Sequence, residues 1–273
     1  MSTLVAVEDP ADPLVADYAH LCRPHVRQHL GVASGLVVLE GRRAIEALLA
    51  GGRTPQSVLS SPEKAASLAP LLAELPVPIF VAQRPVLDSL AGYPVHRGIL
   101  GLARRWAPPD IRAVVERARC LVVLEGVGDH ENVGAIFRSA AALGAGGVLV
   151  GPGCADPLYR RAIRVSMGQT LRLPFTGASP WPSVLQELRA AGWLVVGLVP
   201  SADTPLARVG LGRDQPIALV LGNEADGLSE PARQACSLTA RVPMTPGSDS
   251  LNVAATAAVA LSWLGPLADH SRR

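Results

Sequence analysis

Within residues 217–261 the chain twice runs an apolar segment straight into a polar, glycine-bearing loop. Residues 217–221, IALVL, are apolar at every position and stop at Gly222, Asn223 and Glu224. A run with no polar face suits a strand covered on both sides, as in a parallel sheet between helical layers. Residues 241–244 read as a second such strand, leading into Thr245, Pro246, Gly247, Ser248, Asp249 and Ser250. An Ala-rich apolar helix follows. Ligands of open α/β sheets sit beyond the carboxyl ends of the strands. Two loops of this kind in a stretch the size of one βαβ unit therefore predict a shared ligand cleft.

The rest of the chain alternates in the same way. Strands are expected at 35–40, 57–59, 77–81 and 99–103, with helices at 44–50, 64–75 and 85–90. This makes a first small αβ domain over residues 1–105, whose opening segment, up to about residue 35, reads as polar and mostly helical after Pro13. Arg104, Arg105, Trp106, Pro108 and Pro109 mark a domain edge, and residues 106–118 read as linker and helix. A second α/β series occupies 119–273. Its strands are expected at 120–125, 147–150, 194–199 and 217–221, with helices at 133–143 and 183–191 and a third carrying Arg160, Arg161 and Arg164. Strands alternating with helices imply a parallel sheet.

With 273 residues, 49% of them hydrophobic, there is material for two ordinary cores without a metal or disulfide staple. No apolar run is long enough to span a membrane, and the acidic N-terminus shows no export signal. Cys22, Cys120, Cys154 and Cys236 are scattered without a CxxC pair, which fits free thiols in a reducing cytoplasm. His20, Cys22, His25 and His29 are ligand types, but their spacing matches no standard zinc pattern, so no metal is expected. A net charge of +2 neither demands nor excludes a nucleic-acid partner. Lys64 is the only lysine. The arginine bias fits either codon usage or bidentate phosphate binding, and only the positions of individual arginines separate the two.

Three segments carry candidate chemistry. In the first, ENVGAIFRSA over 131–140, Asn132 sits where a helix N-cap belongs. Arg138 lies in an otherwise apolar helix, where a guanidinium needs an acid, a phosphate or a cleft unless it faces solvent; both remain open. In the second, LGNEADGLS over 221–229, Gly222 allows close backbone approach and Glu224 leaves a buried strand at the cleft mouth. A plain Asp226-Gly227 turn would serve as well. In the third, SLNVAA over 250–255, Ser250 is the expected N-cap, Asn252 falls in the first turn, and small residues permit tight helix packing.

Together and in this order, the three segments resemble the signature of the SpoU-type (TrmH-like) RNA 2′-O-ribose methyltransferases of the SPOUT class. The match runs from Leu121 to Leu264 and includes RVSMG at 164–168. VVLEGRRAIEALL and VHRGILGLARR are more loosely similar to the ribosomal-protein-like RNA-binding module that precedes many such domains. The resemblance implies a parallel α/β sheet whose C-terminal stretch is threaded as a deep trefoil knot, a homodimer with its site completed at the subunit interface, and S-adenosylmethionine as cofactor. Leu198, Gly222, Val242 and Leu251 would hold the cofactor. Arg138, Asn132, Glu224, Ser250 and Asn252 would form the catalytic set. In that set Arg138 would grip the phosphate beside the target ribose and Asn132 would orient it. Ribosomal RNA and transfer RNA are both open as substrates. Arg160 and Arg164 share one helix face and, with Arg42 and Arg43 at a strand-to-helix turn, are the expected RNA contacts.

Two other readings compete. One keeps the fold without catalysis, as an RNA-binding or ribosome-assembly protein. The other is a Rossmann-type nucleotide enzyme, disfavoured because Gly126-Val127-Gly128 lacks the remaining spacing of GxGxxG.

Overall fold

The computed structural model describes residues 3–19, 35–210, 214–245, 247 and 250–264. The His20/Cys22/His25/His29 group lies outside the described residues. Contacts divide the chain into two units, Met1–Ala107 with Leu158–Arg172, and Pro108–Pro157 with Leu173–Arg273.

The first unit holds strands β1 (Thr3–Val7), β2 (Leu36–Glu40), β3 (Ser57–Ser60), β4 (Pro78–Ala82) and β5 (Ile99–Arg104), in the sheet order β1-β4-β3-β5-β2. β4 runs parallel to β1 and β3, while β5 is antiparallel to β3 and β2. β1 corrects the reading of the opening segment. Its five residues pair one for one with Pro78–Ala82; among the described residues the helical part after Pro13 comprises a 3-10 turn and the short Ala16–Ala19 helix. Five residues at the head of a polar stretch carry too little periodicity to show as a strand. The RVSMG segment belongs to this unit. At Gly168, with φ +84°, an added Cβ would lie 2.4 Å from the Ala47 Cβ, so only glycine lets the turn pack on the Arg42–Ala50 helix.

The second unit holds β6 (Cys120–Leu124), β7 (Gly147–Val150), β8 (Phe175–Gly177), β9 (Leu194–Leu198), β10 (Thr204–Pro205), β11 (Ile217–Leu221) and β12 (Leu238–Arg241). They form one sheet in the order β10-β12-β9-β11-β6-β7-β8, and every pairing is parallel. The fully apolar strands do what their composition demands. Cys120, Val122, Leu124, Ile217, Leu219 and Leu221 face one hydrophobic cluster, and Leu121, Val123, Ala218 and Val220 face another on the opposite side. Each fully buried Val or Leu contributes about 1.5–3 kcal/mol, so a one-residue slip, which would exchange the two faces, is strongly opposed.

The strand expected at 241–244 is shifted to Leu238–Arg241, which pairs with β9 from Leu238↔Val196. Pro243 has no N–H to give a ladder, so the chain leaves the sheet before it. On the first cluster lie the helices His130–Ala142 and Val253–Leu264. The second buries Val253, Ala254, Ala257, Ala260, Leu261 and Leu264 as one stripe. Small residues on both helices, Gly134, Ala140, Ala257 and Ala260, are all buried and permit close approach. Phe137 meets Phe175 edge-to-face, with ring centroids 5.6 Å apart.

Candidate active site

β12, β9, β11 and β6 are neighbours and run the same way, so the loops after them emerge along one edge of the sheet. The loop after β11 is the tightest. Asn223 N donates to the Gly227 carbonyl at 3.1 Å, and Gly227 N returns a bond to the Asn223 carbonyl at 2.9 Å. The Asn223 side chain fills this turn from within. Its Oδ1 accepts from Ala225 N at 2.6 Å, while its Nδ2 donates to the Gly126 carbonyl at 3.0 Å. The need for glycine at 222 comes from this fold-back, since an added Cβ would sit 2.3 Å from the Gly227 carbonyl carbon. The close approach expected there is to the protein's own backbone.

A carboxylate at the end of β6 fixes the far side of the loop. Glu125 accepts from Trp181 Nε1 at 2.7 Å, from Ser229 N at 2.9 Å and from Ser229 Oγ at 2.7 Å. Ser229 also caps the Glu230–Ala235 helix. Reasoning from sequence missed Glu125 and the structural role of Asn223. An acid closing a wholly apolar strand, CLVVLE, was the available signal for the first.

The loops enclose a recess of about 370 Å³, whose walls include Leu198, Pro200, Gly222, Glu224, Ser250 and Leu251. A smaller recess of about 50 Å³ shares Leu198, Ser250 and Leu251 and adds Val242 and Met244. The four residues expected at the cofactor, Leu198, Gly222, Val242 and Leu251, are thus brought to one place. Leu251 is 42% exposed, unusual for a large apolar side chain, and stands at the rim.

The three candidate segments are joined by side chains. Asn252 Nδ2 donates to Asn132 Oδ1 at 2.9 Å, and Asn132 Nδ2 donates to Glu224 Oε1. Two expectations change in detail. Asp129, not Asn132, caps the His130–Ala142 helix, accepting from Glu131 N at 2.6 Å and leaving Asn132 in the first turn. Asn252, not Ser250, caps the last helix, its Oδ1 accepting from Ala254 N at 2.9 Å and Ala255 N at 3.3 Å. In both cases the side-chain oxygen that accepts from free helical N–H groups is set by where the chain turns, which spacing alone does not fix.

Arg138 is exposed on the His130–Ala142 helix and has no hydrogen bond or ion pair with the described residues. No Asn132–Arg138 hydrogen bond is formed; the two are six positions apart on the His130–Ala142 helix and lie on different faces of it. Arg138 lines neither recess.

The arginines expected at RNA lie in the first unit. Arg42 bonds Glu46 Oε1 at 2.6 Å and the Ser67 carbonyl at 3.0 Å, so it already has local partners. Arg43 and Arg164 are exposed, and the Arg160 guanidinium stacks 4.7 Å over the Tyr93 ring. Among the described residues no group of three or more His, Cys, Asp or Glu side chains is placed to hold a metal.

The family model that matches residues 119–262 is described as the SpoU rRNA methylase family. The chain belongs to that family. An uncharacterised tRNA/rRNA methyltransferase of Mycobacterium bovis is 39% identical over 255 residues, which span 92% of this chain and 88% of its own. The 23S rRNA (guanosine-2′-O-)-methyltransferase RlmB of Xylella fastidiosa is 34% identical over 64% of this chain and 72% of its own. In fold, the crystal structure of an AdoMet-bound rRNA methyltransferase from Sinorhizobium meliloti superposes with a TM-score of 0.79 at 21% identity, covering 95% of this chain and 96% of that one.

Proposed function

We propose that this protein transfers a methyl group from S-adenosylmethionine to a ribose 2′-hydroxyl of ribosomal or transfer RNA. The observation that carries the reading is the hydrogen-bonded chain Asn252–Asn132–Glu224, which ties the three candidate segments together beside a recess lined by Leu198, Gly222 and Leu251. The recess suits the cofactor. Its size falls in the range of small-molecule pockets, about 300–1,000 Å³, and it pairs apolar walls with loop backbone. Bound there, the cofactor would supply an electrophilic sulfonium methyl. Leu198, Val242 and Leu251 would wall its apolar parts from water, and the 222–227 turn would present backbone groups to its polar ones.

The chain's own side chains do the rest. The 2′-hydroxyl must lose a proton as it attacks, and it must be held in line. A guanidinium stays protonated at neutral pH, so Arg138 acts by gripping the neighbouring phosphate and stabilising charge developing on the 2′-oxygen. Its lack of a partner among the described residues leaves it available for this. Asn132, Ser250 and Asn252 fix loop geometry, and Glu224 is the candidate to accept or relay the proton. A homodimer completes the site at the subunit interface, which suits an Arg138 that does not line the recess of its own chain.

The C-terminal stretch of residues 119–273 forms the trefoil knot of the SPOUT class. Residues 1–105 form the RNA-binding domain and 106–118 the link to it. Arg42, Arg43, Arg160 and Arg164 meet RNA phosphates. The protein works in the cytoplasm without a metal, and no described helix is long and apolar enough to cross a membrane. The test is to incubate the protein with methyl-labelled S-adenosylmethionine and total RNA and to map 2′-O-methylation. One nucleotide marked only when the protein is present supports the reading. RNA left unmarked by protein that binds the cofactor counts against it.

A further inference from the structure

The first unit contains a further recess, of about 430 Å³, that the methyl-transfer reading does not use. It is lined chiefly by Arg53, Thr54, Gln56, Arg104, Arg105 and Trp106, from the segment before β3 and the end of β5. The Arg53 guanidinium lies 4.1 Å over the centre of the Trp106 ring, and its NH1 donates to the Gly51 carbonyl at 2.9 Å. That bond and the ring hold the guanidinium in one place, and partial burial lowers its pKa from the ordinary arginine value. Arg104 is exposed, and Trp106 is half-buried. Among the described residues, none of those lining the recess is a carboxylate.

This combination has a chemical meaning. A cation–π pair alone needs one arginine and one indole. Here the exposed Arg104 borders the same opening, and none of the described residues lining it is a carboxylate, so the recess is positive. An indole braced by a cation is a stacking platform for a nucleobase, and arginine forks match phosphate oxygens. Thr54 and Gln56 add a hydroxyl and an amide for a base edge; the Gln56 Nε2 has a long 3.4 Å bond to Asp17 Oδ2. Duplex RNA keeps its bases stacked and paired, whereas a loop or bulge can offer one.

We propose that this recess binds an unpaired nucleotide of the RNA substrate, with its base stacked on Trp106 beside Arg53 and its phosphate met by the exposed Arg104. The inference rests on the RNA methyltransferase reading and adds to it a recognition site built from none of the residues named for the reaction.

The full-length protein is titrated into fluorescein-labelled oligoadenylate, either as a single strand or annealed as a duplex, and anisotropy is followed. Trp106→Ala should weaken single-strand binding roughly tenfold to a hundredfold, Trp106→Phe should restore most of it, and duplex binding should move less than twofold. Arg104→Glu, a change at an exposed position, should weaken binding of all sequences alike and lower the salt slope by about one. It decides the matter if Trp106→Ala does not fold. In methylation assays the same variants should raise KM for RNA and leave kcat and cofactor affinity unchanged. Single-strand affinity and KM within twofold of the parent, in variants that still bind cofactor, would overturn the recess as a nucleotide site while the methyl-transfer reading stood. A parent protein that binds no cofactor in calorimetry would instead overturn the reading beneath it.

Discussion

The Asn132 amide spends both of its ends inside the protein, on Glu224 and Asn252, and this sets what substitutions there should do. Asn132→Asp removes the donor that faces Glu224 and puts a second acceptor against it. It should therefore lower single-turnover methyl transfer at least as far as Asn132→Ala. Asn132→Ala and Asn252→Ala remove the same bond from opposite sides, so their effects on the rate should fall short of adding; a double-mutant cycle measures the shortfall. Asn252→Ala carries an additional loss of about 1 kcal/mol of stability from the missing helix cap, read from denaturant midpoints. Arg138→Ala should behave differently. Arg138 lines neither recess and makes no hydrogen bond or ion pair with the described residues, so cofactor affinity should stay within twofold by calorimetry. The rate should fall about 10²–10³-fold if the guanidinium stabilises developing charge. A pH–rate profile tests Glu224 as the proton acceptor. A limb of the profile that disappears in Glu224→Gln assigns the role to the carboxylate, and an unchanged profile removes it.

At the scale of elements, the loop after β11 is the part with least freedom. Gly222 cannot gain a methyl group without meeting the Gly227–Leu228 backbone at 2.3–2.4 Å, and backbone cannot move aside as the end of a side chain can. Gly222→Ala should open the turn and abolish measurable cofactor binding. It should also destabilise the protein by about 1–3 kcal/mol, as overpacking does; a fall in cofactor affinity without a change in Tm would contradict this. The elements themselves were unevenly legible. β7 and β11 lie where their apolar runs place them, since a strand buried on both faces must be apolar throughout. β8, at three residues, acquires its identity from a partner strand, β1 is fixed by its pairing with Pro78–Ala82, and β12 ends where Pro243 stops the ladder. Such features depend on pairing across the chain, which local pattern does not contain.

For the whole molecule, the thiols report on how completely the second unit closes. Burial pushes Cys120 and Cys236 up from an ordinary thiol value near 9.0 to about 12. Both should resist disulfide-exchange reagents in the native protein near neutral pH and react once it is unfolded; rapid native reaction would show the core to be open. The sign of the pH effect follows from the same shift. A folded-state pKa above the unfolded one stabilises the fold at neutral pH, and that stabilisation is lost as pH rises through the interval from about 9 to about 12. Thermal midpoints should accordingly hold near neutrality and decline across that interval, less steeply in Cys236→Ala.

The order of residues alone determined the alternation of strands and helices, the two-sided burial of β11, and the identities of Asn132, Glu224 and Asn252 as candidates. The first two follow from local composition and period, which a single chain carries openly; the three side chains became candidates through the resemblance of their segments to the SpoU-type signature. Only the tertiary structure decided that these three side chains bond to one another, that Asp129 and Asn252 are the caps, that Gly222 is required by its own loop, and that Glu125 holds that loop from behind. The first and last of these depend on groups about a hundred residues apart in sequence meeting within 3 Å, and no neighbour-to-neighbour rule encodes such a distance; the caps and the Gly222 turn are local but are set by where the backbone turns.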